Sequence, residues 1–382
     1  MKDYYVILTG SKNNAGDFLI KYRAKKLFAA LRPDREIVDL DAWKPFDAAT
    51  LELVNNAKAL ILMGGPSLQS HMHPGIYALT ANLDDIKVPI TTMGIGWKSI
   101  SGNWQDSYDY PLSASTLKLL KKAAGSGLPF SVRDFHTLNT LAFKGFDNVL
   151  MTGCPAYYDL DFIGKEFKLP EKLRKVAFSL GVSFIESASM EREMKSQILR
   201  LREYFKEAEF EVVFHHALDS NTFLKSHGAK QVHNSKHNEF AQWLKGEGIA
   251  YVDISGSAES LVDYYSSVDL HVGYRVHAHI FMNSISRMSV LIAEDGRGKA
   301  VEKVIGGMVV EGFHHYRNDI LSKVCKKIFS GYNRYVANKR VADDVVAQMR
   351  YELYSKGHRM NVSRTMMDSN FSVMKNYLER LP

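Results

Sequence analysis

The feature that most constrains this chain is a recurring pattern: a short apolar run rich in β-branched residues, a glycine-bearing turn, then apolar residues at helical spacing. It is sharpest at Val268-Asp269-Leu270-His271-Val272-Gly273-Tyr274-Arg275-Val276-His277-Ala278-His279-Ile280-Phe281-Met282. The first half reads as a buried strand bounded by Gly273, and Val276, Ile280, Phe281 and Ile285 give the second half a helical period. Arg275 and His277 are thereby predicted on the first turn of a helix, at the carboxyl end of a strand. Backbone N–H groups and the positive end of the helix dipole favour an anion at such a place. Arginine adds a planar fork that fits carboxylate or phosphate, and histidine a proton donor that titrates near neutral pH. The same residues also admit a purely structural role, with Arg275 paired to a neighbouring acid and His277 and His279 hydrogen-bonded within the packing.

The pattern runs the length of the chain. Tyr4 to Leu8 reads as a strand, followed by Gly10-Ser11-Lys12-Asn13-Asn14-Ala15-Gly16-Asp17 and a helix carrying Leu19, Ile20, Ala24, Leu27 and Leu31. That loop has neither the ending of a phosphate-binding P-loop nor the spacing of a dinucleotide fingerprint. Asn14 and Gly16 let backbone approach a ligand closely, while Asp17 also suits a helix cap or first-turn acid. Glu36 to Leu40 is the next strand, Ala48 to Ala57 a helix, and Ala59 to Met63 a strand ending in a Gly64-Gly65-Pro66-Ser67 turn. Leu68 to Pro74 is expected to be a loop, in which His71 and His73 either serve a metal or are simply solvated; no third ligand stands nearby. Val88 to Gly96 is a strand, and the aromatic, polar loop from Trp97 to Pro111 suits either sugar contact or plain surface. Asp134 is placed to cap a helix from Phe135 to Phe143, leaving Arg133 at the end of a strand over Pro129 to Val132.

A boundary is expected between Phe162 and Lys175. Beyond it the pattern restarts with a strand at Val176 to Leu180, a helix at Met190 to Ala208 and a strand at Glu211 to His215, whose His215 and His216 should point to opposite faces. Residues 219 to 235 read as polar loop, Glu239 to Lys245 as helix, Ile249 to Asp253 as strand and Glu259 to Ser267 as helix. After the stretch around Arg275, Ser289 to Ala293 is a strand running into Glu294-Asp295-Gly296-Arg297-Gly298, which puts Asp295 and Arg297 on the rim that carries Arg275 and His277. Residues from His315 onward look mainly helical. The expected fold class is therefore α/β, with two Rossmann-like doubly wound domains facing a cleft, residues 1–165 and 172–314, and a helical C-terminal extension, residues 315–382.

Composition narrows the function classes. A chain of 382 residues with 46% hydrophobic and 24% charged residues is globular, with ample core for two domains. The apolar run at residues 4–8 is too short for a secretory signal, and no run approaches the roughly 20 residues that span a bilayer. The expectation is a soluble, intracellular protein without a transmembrane segment. Its two cysteines, Cys154 and Cys325, have no metal-site spacing and fit a reducing compartment. A net charge of +7, with basic residues spread along the chain, favours anionic substrates or loose attraction to acidic lipid over nucleic acid.

Taken as an ordered set, Gly10 to Asp17, Gly64-Gly65, Ser131-Val132-Arg133-Asp134, Gly153-Cys154-Pro155, Gly273-Tyr274-Arg275-Val276-His277-Ala278 and Asp295-Gly296-Arg297 resemble the polysaccharide pyruvyl transferase family over residues 4 to 310. The sequence departs from the family at Gly64-Gly65-Pro66, where a third glycine is common, and nothing carries over after about Phe313. The resemblance implies a GT-B-like pair of domains, an acceptor side in the first and a donor side in the second. It implies transfer of the pyruvyl group of phosphoenolpyruvate onto two hydroxyls of a sugar, giving a pyruvate ketal and phosphate, with no cofactor and no metal. In this reading Arg275 holds the donor, His277 protonates the enol carbon, and Asp17 accepts a proton from the sugar hydroxyl. Asn14, Gly16, Gly64 and Gly65 line the acceptor side, and Arg133, Asp295 and Arg297 are further substrate contacts. The acceptor is a saccharide of a surface polysaccharide or its precursor, lipid-linked or nucleotide-linked, and the expected location is the cytoplasm or the inner membrane surface. Two other readings share the architecture: a glycosyltransferase using a nucleotide sugar, and a non-catalytic binding protein of the same fold. Oligomeric state is left open.

Overall fold

A computed structural model describes residues 3–9, 15–224, 230–317, 319–328 and 332–382. The loop before Ala15, including the expected site residue Asn14, lies outside the described residues. The chain divides into two compact units, one made of residues 1–11, 20–164 and 365–382, the other of residues 12–19 and 165–364.

The first unit is built on six parallel strands, β1 (Tyr4–Thr9), β2 (Glu36–Asp41), β3 (Ala59–Leu68), β4 (Ile90–Trp97), β5 (Phe130–Val132) and β6 (Val149–Met151), in the order β2-β1-β3-β4-β5-β6. Its helices are α1 (Ala15–Leu31), α2 (Ala48–Asn55), α3 (Met72–Gly75), α4 (Ala114–Ala124) and α5 (Phe135–Phe143). Tyr5, Val6, Ile7 and Leu8 are all fully buried. A parallel strand covered by helices on both faces needs an unbroken apolar run, which is why no alternation marks β1 in the sequence. Asp134 caps α5, its carboxylate accepting from the Thr137 N–H at 2.7 Å, as its place before Phe135 predicts.

Two expectations for this unit are corrected. Gly64 and Gly65 are not a turn after a strand but lie inside β3, which continues to Leu68. A Cβ on Gly64 would stand 2.6 Å from the Gly94 carbonyl oxygen, and Gly65 has φ 96°, so the glycines allow a tight, irregular pairing with β4. Residues after Leu68 are not an open loop throughout, because α3 forms there and His73 is buried, donating from Nδ1 to the Tyr77 carbonyl at 2.8 Å. The aromatic loop expected from Trp97 begins one residue later, Trp97 ending β4; Trp97 and Tyr110 belong to the core, Trp97 stacking on His136 at 4.7 Å, and Trp104 is exposed.

The second unit carries β7 (Lys175–Ser179), β8 (Glu209–Phe214), β9 (Ala250–Asp253), β10 (Leu270–Gly273), β11 (Met288–Ala293) and β12 (Met308–Glu311), all parallel, in the order β12-β11-β10-β7-β8-β9. Around them lie α6 (Ser183–Glu186), α7 (Ala188–Tyr204), α8 (Ser220–Leu224), α9 (Gln231–Gly246), α10 (Ala258–Ser266), α11 (Val276–Ser284) and α12 (Gly296–Ile305). Helix replaces much of the loop expected over residues 219–235, because α8 occupies its start and α9 begins at Gln231. Asn234 and His237 face inward there and give the helix a buried polar stripe that hydropathy does not reveal. The strand order reverses at β7, with β8 on one side and β10 on the other. In such sheets loops part at the reversal, and ligands bind at the strands' carboxyl ends.

Beyond β12 the chain is helical except for an antiparallel pair, β13 (Phe313–Tyr316) and β14 (Tyr335–Ala337). Its helices are α13 (Ile320–Ile328), α14 (Val341–Tyr354) and α15 (His358–Glu379). Residues up to Arg364 of α15 belong to the second unit, where Arg364 donates to the carbonyls of Asn283 and Ser284. Residues from Thr365 belong to the first, where Tyr377 donates to the Thr92 carbonyl at 2.8 Å.

Candidate active site

The chemistry gathers at the carboxyl ends of β7, β8, β10 and β11 in the second unit. Gly273 ends β10 with φ 147°, and a Cβ there would lie 2.4 Å from the Ser179 carbonyl oxygen. Only glycine lets β10 press this closely on β7. The Ser179 hydroxyl accepts the Arg275 N–H at 3.0 Å, and its carbonyl accepts the Tyr274 N–H at 3.0 Å. The turn into α11 is fixed by these bonds rather than by side-chain capping. Arg275 is the N-cap residue of α11 and His277 is in its first turn.

Arg275 is partly exposed, but its Nε is shut away from solvent without a hydrogen-bond partner among the described residues. Its Nη2 donates to His216 Nδ1 at 3.0 Å, so the neutral His216 ring carries its proton on Nε2. Burial, opposed by Glu294 and reinforced by Arg297, brings the Arg275 guanidinium down to about 10, which leaves it charged at neutral pH. Burial first and the Arg275 charge second hold His216 well below the ordinary imidazole range. His215 turns elsewhere, to the Tyr265 hydroxyl at 2.8 Å; both histidines lie just past the end of β8, not within it as expected.

Beneath Arg275 runs a buried polar chain. His271 joins the Ser179 hydroxyl through Nε2 and the Ser289 hydroxyl through Nδ1, each at 2.7 Å, and Ser289 also meets His279 Nδ1 at 2.8 Å. His279, expected within the packing, is a core residue, and burial lowers it to about 3. Such fully bonded networks fix strand ends relative to one another.

On the β11 side, Glu294 is buried and accepts the N–H groups of Val182 and Ser183 at 2.8 to 3.0 Å. Gly181 is required beside it, because a Cβ would stand 2.4 Å from the carboxylate. Burial pushes the Glu294 carboxyl up and the neighbouring Arg275 pulls it back. Asp295 caps α12 through the Arg297 N–H at 2.8 Å and also grips the Arg297 guanidinium, with Nη2 at 2.6 Å and Nε at 2.9 Å. That carboxylate raises the Arg297 pKa above its usual value. The pair thus presents a nearly neutralised arginine next to a more available one.

Residues 15–19, the start of α1, belong to this unit. A Cβ on Gly16 would lie 2.3 Å from His277 Nδ1, so the start of α1 rests directly against the imidazole. Asp17 is in the first turn of α1, and its charge is felt at Arg297. The structure thereby brings together Arg275, His277, Asp295, Arg297, Gly16 and Asp17. Gly64, Gly65 and Arg133 belong to the first unit. Arg133 is 7% exposed, lies over Gly96, where a Cβ would be 2.0 Å from its Nε, and faces Asp134 at 3.7 Å. Sequence reasoning missed Glu294, His216 and Ser179 as partners of the cluster; their only sequence signal is that each sits at or just beyond the last residue of a strand. Among the described residues no group of three or more His, Cys, Asp or Glu is arranged to hold a metal.

A sequence-family model described as polysaccharide pyruvyl transferase matches residues 14–281, well over half of the chain and inclusive of Gly16, Arg275 and His277. The chain belongs to the polysaccharide pyruvyl transferase family. No curated protein matches it in sequence. Among solved structures it is similar to UDP-GlcNAc 2-epimerase from Neisseria meningitidis bound to UDP-GlcNAc, at 11% identity with 99% of each chain covered and a TM-score of 0.51. It is also similar to UDP-GlcNAc 2-epimerase from Methanocaldococcus jannaschii, at 9% identity over 91% of this chain and 99% of that one, with a TM-score of 0.47. At these identities the likeness is one of fold, and it makes this pyruvyl transferase family member a GT-B-like α/β protein of two six-stranded parallel sheets. No described helix is long and apolar enough to cross a membrane.

Proposed function

We propose that this protein transfers the pyruvyl group of phosphoenolpyruvate onto two hydroxyls of a sugar in a surface polysaccharide or its precursor. The single observation that supports this most is Arg275: a guanidinium at the amino end of α11, tied by Nη2 to His216, with a buried Nε still unpartnered among the described residues. A carboxylate or phosphate oxygen offered to that fork satisfies the donor and meets the helix dipole. Phosphoenolpyruvate supplies both groups on three carbons.

The chemistry balances without a redox partner. A proton from His277 adds to the methylene carbon of the enol, and the oxygen of a first sugar hydroxyl bonds to the neighbouring carbon as that hydroxyl gives up its proton. The carbon–oxygen bond to phosphate then breaks, phosphate leaves with the bonding pair, and the second hydroxyl adds in its place, losing its proton to close the ketal. Asp17 is assigned the proton from a sugar hydroxyl. Asn14, Gly16, Gly64 and Gly65 are assigned to the acceptor side, and Arg133, Asp295 and Arg297 to further substrate contacts. The assigned location is the cytoplasm, where phosphoenolpyruvate is to be had.

Thermal melts with phosphoenolpyruvate and a panel of nucleotide sugars test the donor. At a hundredfold excess over the dissociation constant the true donor stabilises the protein by about 3 kcal/mol. His277→Gln should keep this stabilisation and lose about a hundredfold or more in phosphate release. Arg275→Ala should lose the stabilisation. Protection by a nucleotide sugar and none by phosphoenolpyruvate would overturn the assignment in favour of glycosyl transfer.

A further inference from the structure

The short helix α13 is turned inside out. At about 100° per residue, Ile320, Leu321, Val324 and Ile328 fall within an arc of about 100°. In a surface helix that arc faces the core. Here Ile320 is 80% exposed, Leu321 71% and Ile328 67%, while the buried residue is Ser322, at 2%. The inversion is built in: Asp319 accepts both the backbone N–H and the hydroxyl of Ser322 at 2.7 Å, and the Ser322 and Tyr332 hydroxyls lie 3.2 Å apart. Asp319 thereby caps the helix start, the Ser322 side is tied to Tyr332, and four large apolar side chains are presented outward.

Charge says what they are presented to. Lys323 and Lys327 are exposed and flank the apolar arc along one edge. Residues 313–340 contain seven Lys and Arg and the single acid Asp319, a local excess of six in a chain whose whole net charge is +7. The even spread of basic residues read from composition thus hides one segment that holds most of the imbalance. An apolar stripe edged by lysines, with no covering element among the described residues, has the build of a helix that lies in the boundary between acyl chains and anionic headgroups.

We infer that α13 docks this protein onto an anionic lipid surface, with Ile320, Leu321, Val324 and Ile328 inserted below the headgroups and Lys323 and Lys327 at their level. This is independent of the donor and acceptor assigned above. It adds a peripheral attachment that needs no membrane-spanning helix.

Co-sedimentation of the whole protein with vesicles of phosphatidylglycerol and phosphatidylcholine tests it, beside vesicles of phosphatidylcholine alone. Binding should be at least tenfold stronger to the anionic vesicles at 50 mM salt and weaken several-fold at 500 mM, because such attraction is screened within about 10 Å at 0.1 M salt. Leu321→Glu with Ile328→Glu should reduce binding to the level of neutral vesicles with an unchanged melting temperature, since both positions are exposed. Lys323→Glu with Lys327→Glu should cost more than tenfold, each basic group near such a surface being worth about fivefold. No binding by the parent protein, or equal binding by the glutamate variants, overturns the inference. A dimer of the parent that dissociates in Leu321→Glu with Ile328→Glu overturns it too, and assigns the face to a second copy.

Discussion

Replacing Gly16 by alanine probes the contact on which the proposed acid depends. The added methyl lies 2.3 Å from Nδ1, 2.7 Å from Cγ and 2.9 Å from Cβ of His277. Non-bonded atoms of this kind rest at about 3.5 Å, so about 1 Å of overlap must be removed. The close atoms include the ring's base and Cβ, so rotating the far end of the imidazole does not relieve it; either α11 or the first turn of α1 has to shift. Overpacking of this kind costs about 1–3 kcal/mol, offset by up to about 1 kcal/mol because alanine is the better helix former. The net loss is at most about 3 kcal/mol, and since each kcal/mol corresponds to about 2–4 °C for units of this size, a drop in melting temperature of up to about 12 °C is expected. A reacting group displaced by about 1 Å loses about a hundredfold in rate. Phosphate release from phosphoenolpyruvate with a panel of saccharide acceptors should fall by that order, while donor affinity, read by calorimetry, stays within a few-fold because Arg275 is untouched. Gly246→Ala, at the end of α9 where the methyl meets nothing within 4 Å, is the control and should melt no lower than the parent, alanine being the better helix former. Parental melting and parental turnover in Gly16→Ala would refute the claim that α1 holds His277 in place.

The buried histidines make the second unit acid-labile. His237 and His279 have pKa values lowered by burial to about 4 and about 3, against about 6.5 in the unfolded chain, so their stabilisation is intact above pH 6.5 and is lost as pH falls towards 4. At pH 5 each should cost about 2 kcal/mol, so urea midpoints that agree at pH 5 and 7.5 would contradict buried neutral rings. Donor binding should be accompanied by proton uptake on the acid side of neutral, because an anion on Arg275 offsets the second of the causes that hold His216 neutral, burial being the first; calorimetry in buffers of different ionisation enthalpy measures this, and zero uptake across the acid range would separate His216 from the donor site. Gly273→Ala should cost more than about 3 kcal/mol, since it combines φ 147° with a Cβ 2.4 Å from the Ser179 carbonyl oxygen. A melting temperature within 2 °C or so of the parent would show that β7 and β10 can separate there at little cost.

By itself the sequence determined the elements and their class. Runs such as Tyr5 to Leu8 are apolar on both faces, as a covered parallel strand needs, and the strand–glycine–helix pattern around Gly273 places Arg275 and His277 at a helix start. Asp134 was legible as a cap for the same reason: a cap acts within three residues. What lay beyond local range was not legible. Gly64 and Gly65 look like a turn until the Gly94 carbonyl occupies the space a side chain would need. Nothing near Glu294 in sequence announces that Val182 and Ser183 will donate to it from 111 residues away or more, or that His216 will accept from Arg275. Tertiary structure also decided that α13 buries its serine and exposes its isoleucines. Periodicity reports that a helix has two faces, but which face meets the core depends on the bonds its neighbours offer, and those are made only once the sheet has brought distant strand ends together.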